Sequence, residues 1–121
     1  MNMHSIAKIL VTSIAVMLTT YLLPNDWVAI QSYGLAFVVA IVLALLNTFV
    51  KPLLIIFTIP ITLFTLGLFL LAINAIIILI ADYLIEGFYV SGFWVALLFS
   101  LILSVVNSLL ESLLITPGKV D

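Results

Sequence analysis

Four apolar runs, separated by prolines and short polar stretches, divide the chain. They predict helices over residues 6–23, 33–50, 66–85 and 93–115, each near the ~20 residues that a bilayer core requires. Pro24 ends the first run, and residues 25–32 form a short polar and aromatic loop. At Lys51 and Pro52 a charge and a helix breaker coincide, so the second run is expected to leave the apolar layer there. From Leu53 to Ala81 no residue is charged, a span of 29 residues that exceeds one crossing at 1.5 Å per residue. Pro60 and the threonines Thr58, Thr62 and Thr65 crowd its first part. Two readings of residues 53–65 stay open: a Pro-broken interfacial or re-entrant segment, or the frayed end of a long, kinked second helix. Residues 86–92 make a second outer loop, and 116–121 a tail carrying Pro117 and Gly118.

The second run has a counterpart. Residues 35–54 read LAFVVAIVLALLNTFVKPLL and residues 95–114 read VALLFSLILSVVNSLLESLL, so that Ala36, Asn47, Leu53 and Leu54 recur as Ala96, Asn107, Leu113 and Leu114. Small residues fall every fourth position, as Ala36, Ala40, Ala44 and Thr48 in one copy and Ala96, Ser100, Ser104, Ser108 and Ser112 in the other. That spacing keeps them on one helical stripe, and each Asn, three residues after a stripe member, projects from nearly the same face. Tyr21-Leu22 recurs as Tyr83-Leu84 at an offset of 62, whereas Asn47 recurs as Asn107 at 60, so the second outer loop is two residues shorter. The expected fold is an all-α polytopic membrane domain covering residues 1–121, with four transmembrane helices from two parallel helix-hairpin repeats, 6–54 and 66–115, joined through 53–65. The second and fourth helices are expected to pack on each other, or on the first and third, along the small-residue stripes.

Composition agrees with a bilayer. Hydrophobic residues make up 67% of the chain, mean hydropathy is +1.55, and eight charged side chains among 121 residues supply no polar coat for a soluble core. The lipid bilayer is therefore the first partner, and a second copy of the chain is a candidate for another. A net charge of −2 without any basic cluster speaks against a nucleic-acid partner, and the absence of Cys excludes disulfides. A Lys before an apolar run also describes a signal peptide, but no A-x-A-like cleavage site follows, so the first run reads as a retained helix.

Charge also orients the chain. Lys8, Lys51 and Lys119 share the side of the termini and the central connection, while Asp26 and Glu86 occupy the other two loops, so both termini are expected in the cytoplasm. All the Tyr and Trp residues, Tyr21, Trp27, Tyr33, Tyr83, Tyr89 and Trp94, fall near those outer loops as a one-sided interfacial belt.

Several short words carry a family resemblance. They are Lys51-Pro52-Leu53-Leu54, Ile59-Pro60-Ile61-Thr62, Gly67-Leu68-Phe69, Ile73-Asn74-Ala75, Gly87-Phe88-Tyr89-Val90 and Gly92-Phe93, and their order and spacing together are specific. From about Ala7 to Leu114 the chain resembles the small four-helix membrane proteins of the phage holin family, superfamily IV. It departs in the first outer loop, where Asn25-Asp26 stands in place of the Gly-Phe pair usual after the Pro. The resemblance implies a bacterial inner-membrane protein, and brings no catalytic residues with it.

The residues themselves point away from enzymology, because a single His4 in the lead, no carboxylate dyad and no phosphate-binding glycine loop leave no catalytic, metal or cofactor site to assemble. Asp82 and Glu86, four apart, read as interfacial carboxylates reaching water. Asn47, Asn74 and Asn107 are the strongest polar signal inside the apolar runs, either as interhelical hydrogen-bonding groups or as the lining of a water or ion path. Four residues after Asn47 stands Lys51, and four after Asn107 stands Glu111. Two expectations follow for them: a Lys51 to Glu111 pair closing the cytoplasmic end, or Lys51 snorkelling to lipid phosphates with Glu111 in water. The candidate packing and polar set is thus Ala36, Ala40, Ala44, Asn47, Lys51, Asn74, Ala96, Ser100, Ser104, Asn107 and Glu111. A holin-like permeabilising protein, a minimal transporter or channel, and a structural envelope protein all require these same helices.

Overall fold

The computed structural model describes residues 3–115, so that Lys119 and the rest of the expected tail lie outside the described residues. In chain order the elements are α1 (Met3–Leu22), β1 (Val28–Ile30), α2 (Tyr33–Leu45), a π-helical turn (Leu46–Val50), α3 (Lys51–Phe57), α4 (Ile59–Phe64), α5 (Phe69–Leu84), β2 (Phe88–Val90) and α6 (Phe93–Leu114). Three helical stretches, Met3–Leu22, Tyr33–Phe57 and Phe93–Leu114, are long and apolar enough to cross a bilayer. The fourth, α5, has 16 residues and a length of roughly 24 Å.

The second helix does not end at Pro52. Helix continues through Lys51 and Pro52 to Phe57, because the turn before the proline widens: the Lys51 N–H reaches back five residues to the Leu46 carbonyl. In a regular helix the Pro52 ring would press on the Thr48 carbonyl, and the wider turn relieves that contact. At the corresponding place α6 carries Ser112 and stays regular from Phe93 to Leu114.

Residues 53–65 are helical in two pieces. Their first part completes the long second helix. Thr58 then breaks it, with its hydroxyl turned back to the Leu54 carbonyl at 2.7 Å, and α4 follows with Pro60 in its first turn, where no N–H is needed. Two bonds close α4, from the Gly67 N–H to the Thr62 carbonyl at 2.8 Å and from the Leu66 N–H to the Leu63 carbonyl at 3.1 Å. This Schellman closure holds Leu66 at φ 57° and Gly67 at φ 91°. The left-handed pair delays the third long helix to Phe69, three residues later than expected.

Neither outer loop is irregular, as the sequence reading had them. Three residues of each pair antiparallel, Val28 with Val90, Ala29 with Tyr89 and Ile30 with Phe88. Flanking bonds from Gln31 N–H to the Gly87 carbonyl (3.1 Å) and from Ser91 N–H to the Trp27 carbonyl (2.8 Å) extend the ladder. Val28, Phe88 and Val90 are buried beneath it. Outward-facing donors also find acceptors: Val28 N–H meets the Pro24 carbonyl at 3.2 Å, and Val90 N–H meets Asp82 Oδ2 at 3.0 Å. Where water is scarce, pairing of this kind is what permits non-helical backbone. Asp82 is thus half-buried and engaged with backbone, whereas Glu86 is exposed. The two-residue difference between the loops falls in the turns before the strands, residues 23–27 against 85–87, while strand starts and following helix starts are both offset by 60.

The shorter turn depends on Gly87. Its φ is +94°, and a Cβ there would stand 2.6 Å from Leu35 Cδ2 and 2.9 Å from Gln31 Oε1.

Around the bundle, α1 lies between α2 and α6, α6 lies between α1 and α5, and α5 closes against α2 and α3. The second and fourth helices therefore pack on the first and third. Val16, Val39, Ile73, Ile77 and Phe99 fill the interior, with Phe99 edge-on to Phe88 at 5.8 Å between ring centroids. The six Tyr and Trp side chains are exposed around the ladder end. Burial then stops partway: between Leu101 and Ile115 no residue of α6 or its cap is buried, and neither are any in α3 or α4. The helices are packed tight at the ladder end and spread apart at the end of the N-terminus.

Candidate functional site

The spreading leaves a cavity of about 630 Å³ between the first turns of α1, the lower part of α2 with its π turn, and the lower half of α6. Its polar lining comes from Ser5, Lys8, Thr12, Asn47, Thr48, Ser104 and Asn107. Lys8, Asn47, Thr48 and Ser104 are exposed, so this vestibule opens to the outside of the bundle. Its floor is set by Ala40 and Leu43, which are buried.

The small-residue stripes meet this boundary partway along. Ala36, Ala40, Ala96 and Ser100 are buried in the packed half, Ala44 is half-buried at the rim, and Ser104 is exposed in the vestibule. Small side chains let the helices approach at one end. At the other end the same stripe presents hydroxyls to open space: Thr48 donates to the Ala44 carbonyl at 2.7 Å, and Ser112 to the Leu109 carbonyl at 3.1 Å.

One wall carries a four-member polar chain. The Thr12 hydroxyl donates to Asn107 Oδ1 at 3.2 Å, the Asn107 amide donates to Glu111 Oε2 at 3.3 Å, and the Lys8 ammonium lies 3.8 Å from that same oxygen. These contacts bridge α1 and α6. Of the two expectations for Glu111, pairing with Lys51 does not occur, and instead of standing alone in water Glu111 pairs with Lys8, because α1, rather than α2, runs beside α6. Thr12 and Lys8 were not among the sequence candidates. Their spacing of four residues, the same as Asn47 to Lys51 and Asn107 to Glu111, was the available signal for a shared face.

Lys51, Asn47 and Asn74 gather elsewhere. Together with Ser100 and Ser104 they line a second, smaller cavity of about 100 Å³ where the π turn faces α5 and α6. The structure thus sorts the polar candidates into two groups: Asn107 and Glu111 on the α1–α6 seam, and Asn74 and Lys51 beside the π turn, with Asn47 facing both cavities.

Comparison with known proteins agrees with this architecture. The chain is 43% identical over 93 residues to the uncharacterized membrane protein YvlD of Bacillus subtilis, covering 76% of this chain and 78% of that protein. An uncharacterized protein of Streptomyces coelicolor is 44% identical over 81 residues, 64% of this chain and 65% of its own length. No solved structure matches. The family model described as mycobacterial four-span phage holin, superfamily IV, matches residues 3–109, nearly the whole of the described helical bundle. The chain belongs to that holin family of membrane proteins.

Proposed function

We propose that the protein is a multi-pass protein of the bacterial inner membrane, with both termini cytoplasmic, that changes the permeability of the bilayer when several copies associate. The observation that carries this reading is the vestibule: a mainly apolar cavity of about 630 Å³ with polar groups on its walls lies toward the end of the N-terminus and stops at the buried Ala40 and Leu43. A single chain is therefore half open and half sealed. In a chain this apolar, intramembrane polar side chains on an open wall call for water or for further protein. Association would bring several such walls together.

The two-repeat organisation belongs to the same proposal. It is supported by the matched text of 35–54 and 95–114 and by strands and helices that begin at a common offset of 60. The orientation is supported by Lys8 and Lys51, both at the vestibule end, and by the aromatic residues at the other.

The one-sided opening also favours a second reading, a minimal transporter whose vestibule is its cytoplasmic access. Induced expression with a potential-sensitive dye and a co-expressed cytoplasmic endolysin separates the two. Loss of potential followed by lysis supports a permeabilising role, and solute-specific flux without lysis supports transport. An undisturbed potential with no flux would remove both and leave a structural envelope protein.

A further inference from the structure

The smaller cavity has a chemistry of its own. Its lining contains one formal charge, the half-buried Lys51 ammonium, and no carboxylate. Around it stand the amides of Asn47 and Asn74 and the hydroxyl of Ser104, and among the described residues none of these groups has a hydrogen-bond or ion-pair partner. Ser100 is already committed, donating to the Leu97 carbonyl at 2.8 Å. Among the described residues the other two charged groups toward this end, Lys8 and Glu111, pair with one another on the far seam.

A cation held at partial burial without a counter-charge is costly, and the half-buried, uncommitted Asn74 amide adds to that cost, while the exposed Asn47 and Ser104 groups remain free to donate. One oxyanion would satisfy all of them at once. About 100 Å³ corresponds to roughly three water volumes at ~30 Å³ each, enough for a tetrahedral oxyanion and larger than one water needs. The Lys51 ammonium would supply the charge, and the amide groups of Asn47 and Asn74 with the Ser104 hydroxyl would supply the remaining hydrogen bonds. Pro52 contributes through the π turn Leu46–Val50, which holds Asn47 and is capped by Lys51, the two residues that line this cavity with Asn74 of α5.

We propose that this cavity binds a phosphate group through Lys51, Asn47, Asn74 and Ser104. The phosphate comes either from an anionic phospholipid headgroup or from a free phosphate of the aqueous side, and the site does not depend on whether the chain permeabilises the membrane.

The test uses the full chain, purified in detergent and delipidated, in native mass spectrometry with phosphatidylglycerol, with phosphatidylcholine and with inorganic phosphate. Retention of phosphatidylglycerol over phosphatidylcholine, unaffected by inorganic phosphate, identifies a lipid headgroup; retention of inorganic phosphate, or displacement of the lipid by it, identifies the free ion. In either case Lys51→Gln should weaken retention by about tenfold or more, Lys51→Arg should largely restore it, and Lys8→Gln should leave it unchanged. Asn74→Asp, close in size to the parent, places a carboxylate beside Lys51 and should abolish retention even if Lys51→Gln fails to fold. Retention of neither phosphate source by the parent overturns the proposal. So does retention in Asn74→Asp equal to that of the parent, or an equal loss in Lys8→Gln and Lys51→Gln.

Discussion

Lys8 and Glu111 face each other across the α1–α6 seam, 3.8 Å from ammonium to carboxylate, while Asn107 donates to the same carboxylate oxygen. Because the Lys8 and Glu111 side chains are 55% and 30% exposed, solvent screens the pair, and its loss should cost about 0.2–1 kcal/mol. Glu111→Lys should lower the detergent melting temperature slightly, and adding Lys8→Glu should recover it. Adding Lys51→Glu instead should not. Recovery by Lys51→Glu alone would mean that α2 and α6 adjoin at this end.

Asp82 ties α5 to the outer ladder through the Val90 N–H. Asp82→Asn keeps an acceptor oxygen and should be tolerated, whereas Asp82→Leu strands a half-buried donor and should destabilise by about 1–3 kcal/mol. Thermal unfolding of both variants measures the difference.

The two outer-loop glycines give a paired test. Gly87→Ala would force a Cβ into Leu35 and Gln31 at a left-handed φ, and should cost about 1–3 kcal/mol. Gly92→Ala meets nothing within 4 Å, has an extended backbone, and should stay within about 0.5 kcal/mol of the parent. Similar melting temperatures for the two would place the Gly87 turn differently.

Thr19 is fully buried in α1, and its hydroxyl has no partner among the described residues. Thr19→Val replaces that hydroxyl by a methyl of the same shape. Removing an unsatisfied buried polar group should raise stability by about 1 kcal/mol, read as a higher melting temperature in detergent.

Reporter fusions test the orientation. Fusions after Ser32 and after Ser91 should read as external, and one after Lys119 as cytoplasmic. An external reading at Lys119 would require a different number of crossings around Pro60.

The helical runs were legible because their lengths and apolar content far exceed what an interrupted loop can imitate. What was missed has local causes. Strands of three residues are too short for an alternating pattern to stand out, and the pairing of residues 28–30 with 88–90 joins segments sixty residues apart. Pro52 read as a terminus because proline removes a helical hydrogen bond, yet a single widened turn absorbs that loss and lets the helix run on to Phe57. The polar residues were identifiable singly, but which helix stands beside which is not written in any one of them. Repeat-equivalent positions suggested Lys51 for Glu111, and the order of helices around the bundle presents Lys8.

The ladder between Val28–Ile30 and Phe88–Val90 has a mechanical consequence. Backbone hydrogen bonds fasten the two helical hairpins together at one extremity, whereas at the opposite extremity α3, α4 and the lower half of α6 bury no residue, and side-chain contacts of Lys8 and Thr12 with Glu111 and Asn107 join α1 to α6. The hairpins are thus joined by backbone at one end and by partly exposed side chains at the other. Exchanging or breaking those side-chain contacts would cost the ladder nothing, whereas a rotation of a few degrees at Ala29 and Tyr89 would be multiplied along roughly 30 Å of α6 into ångströms at the vestibule mouth.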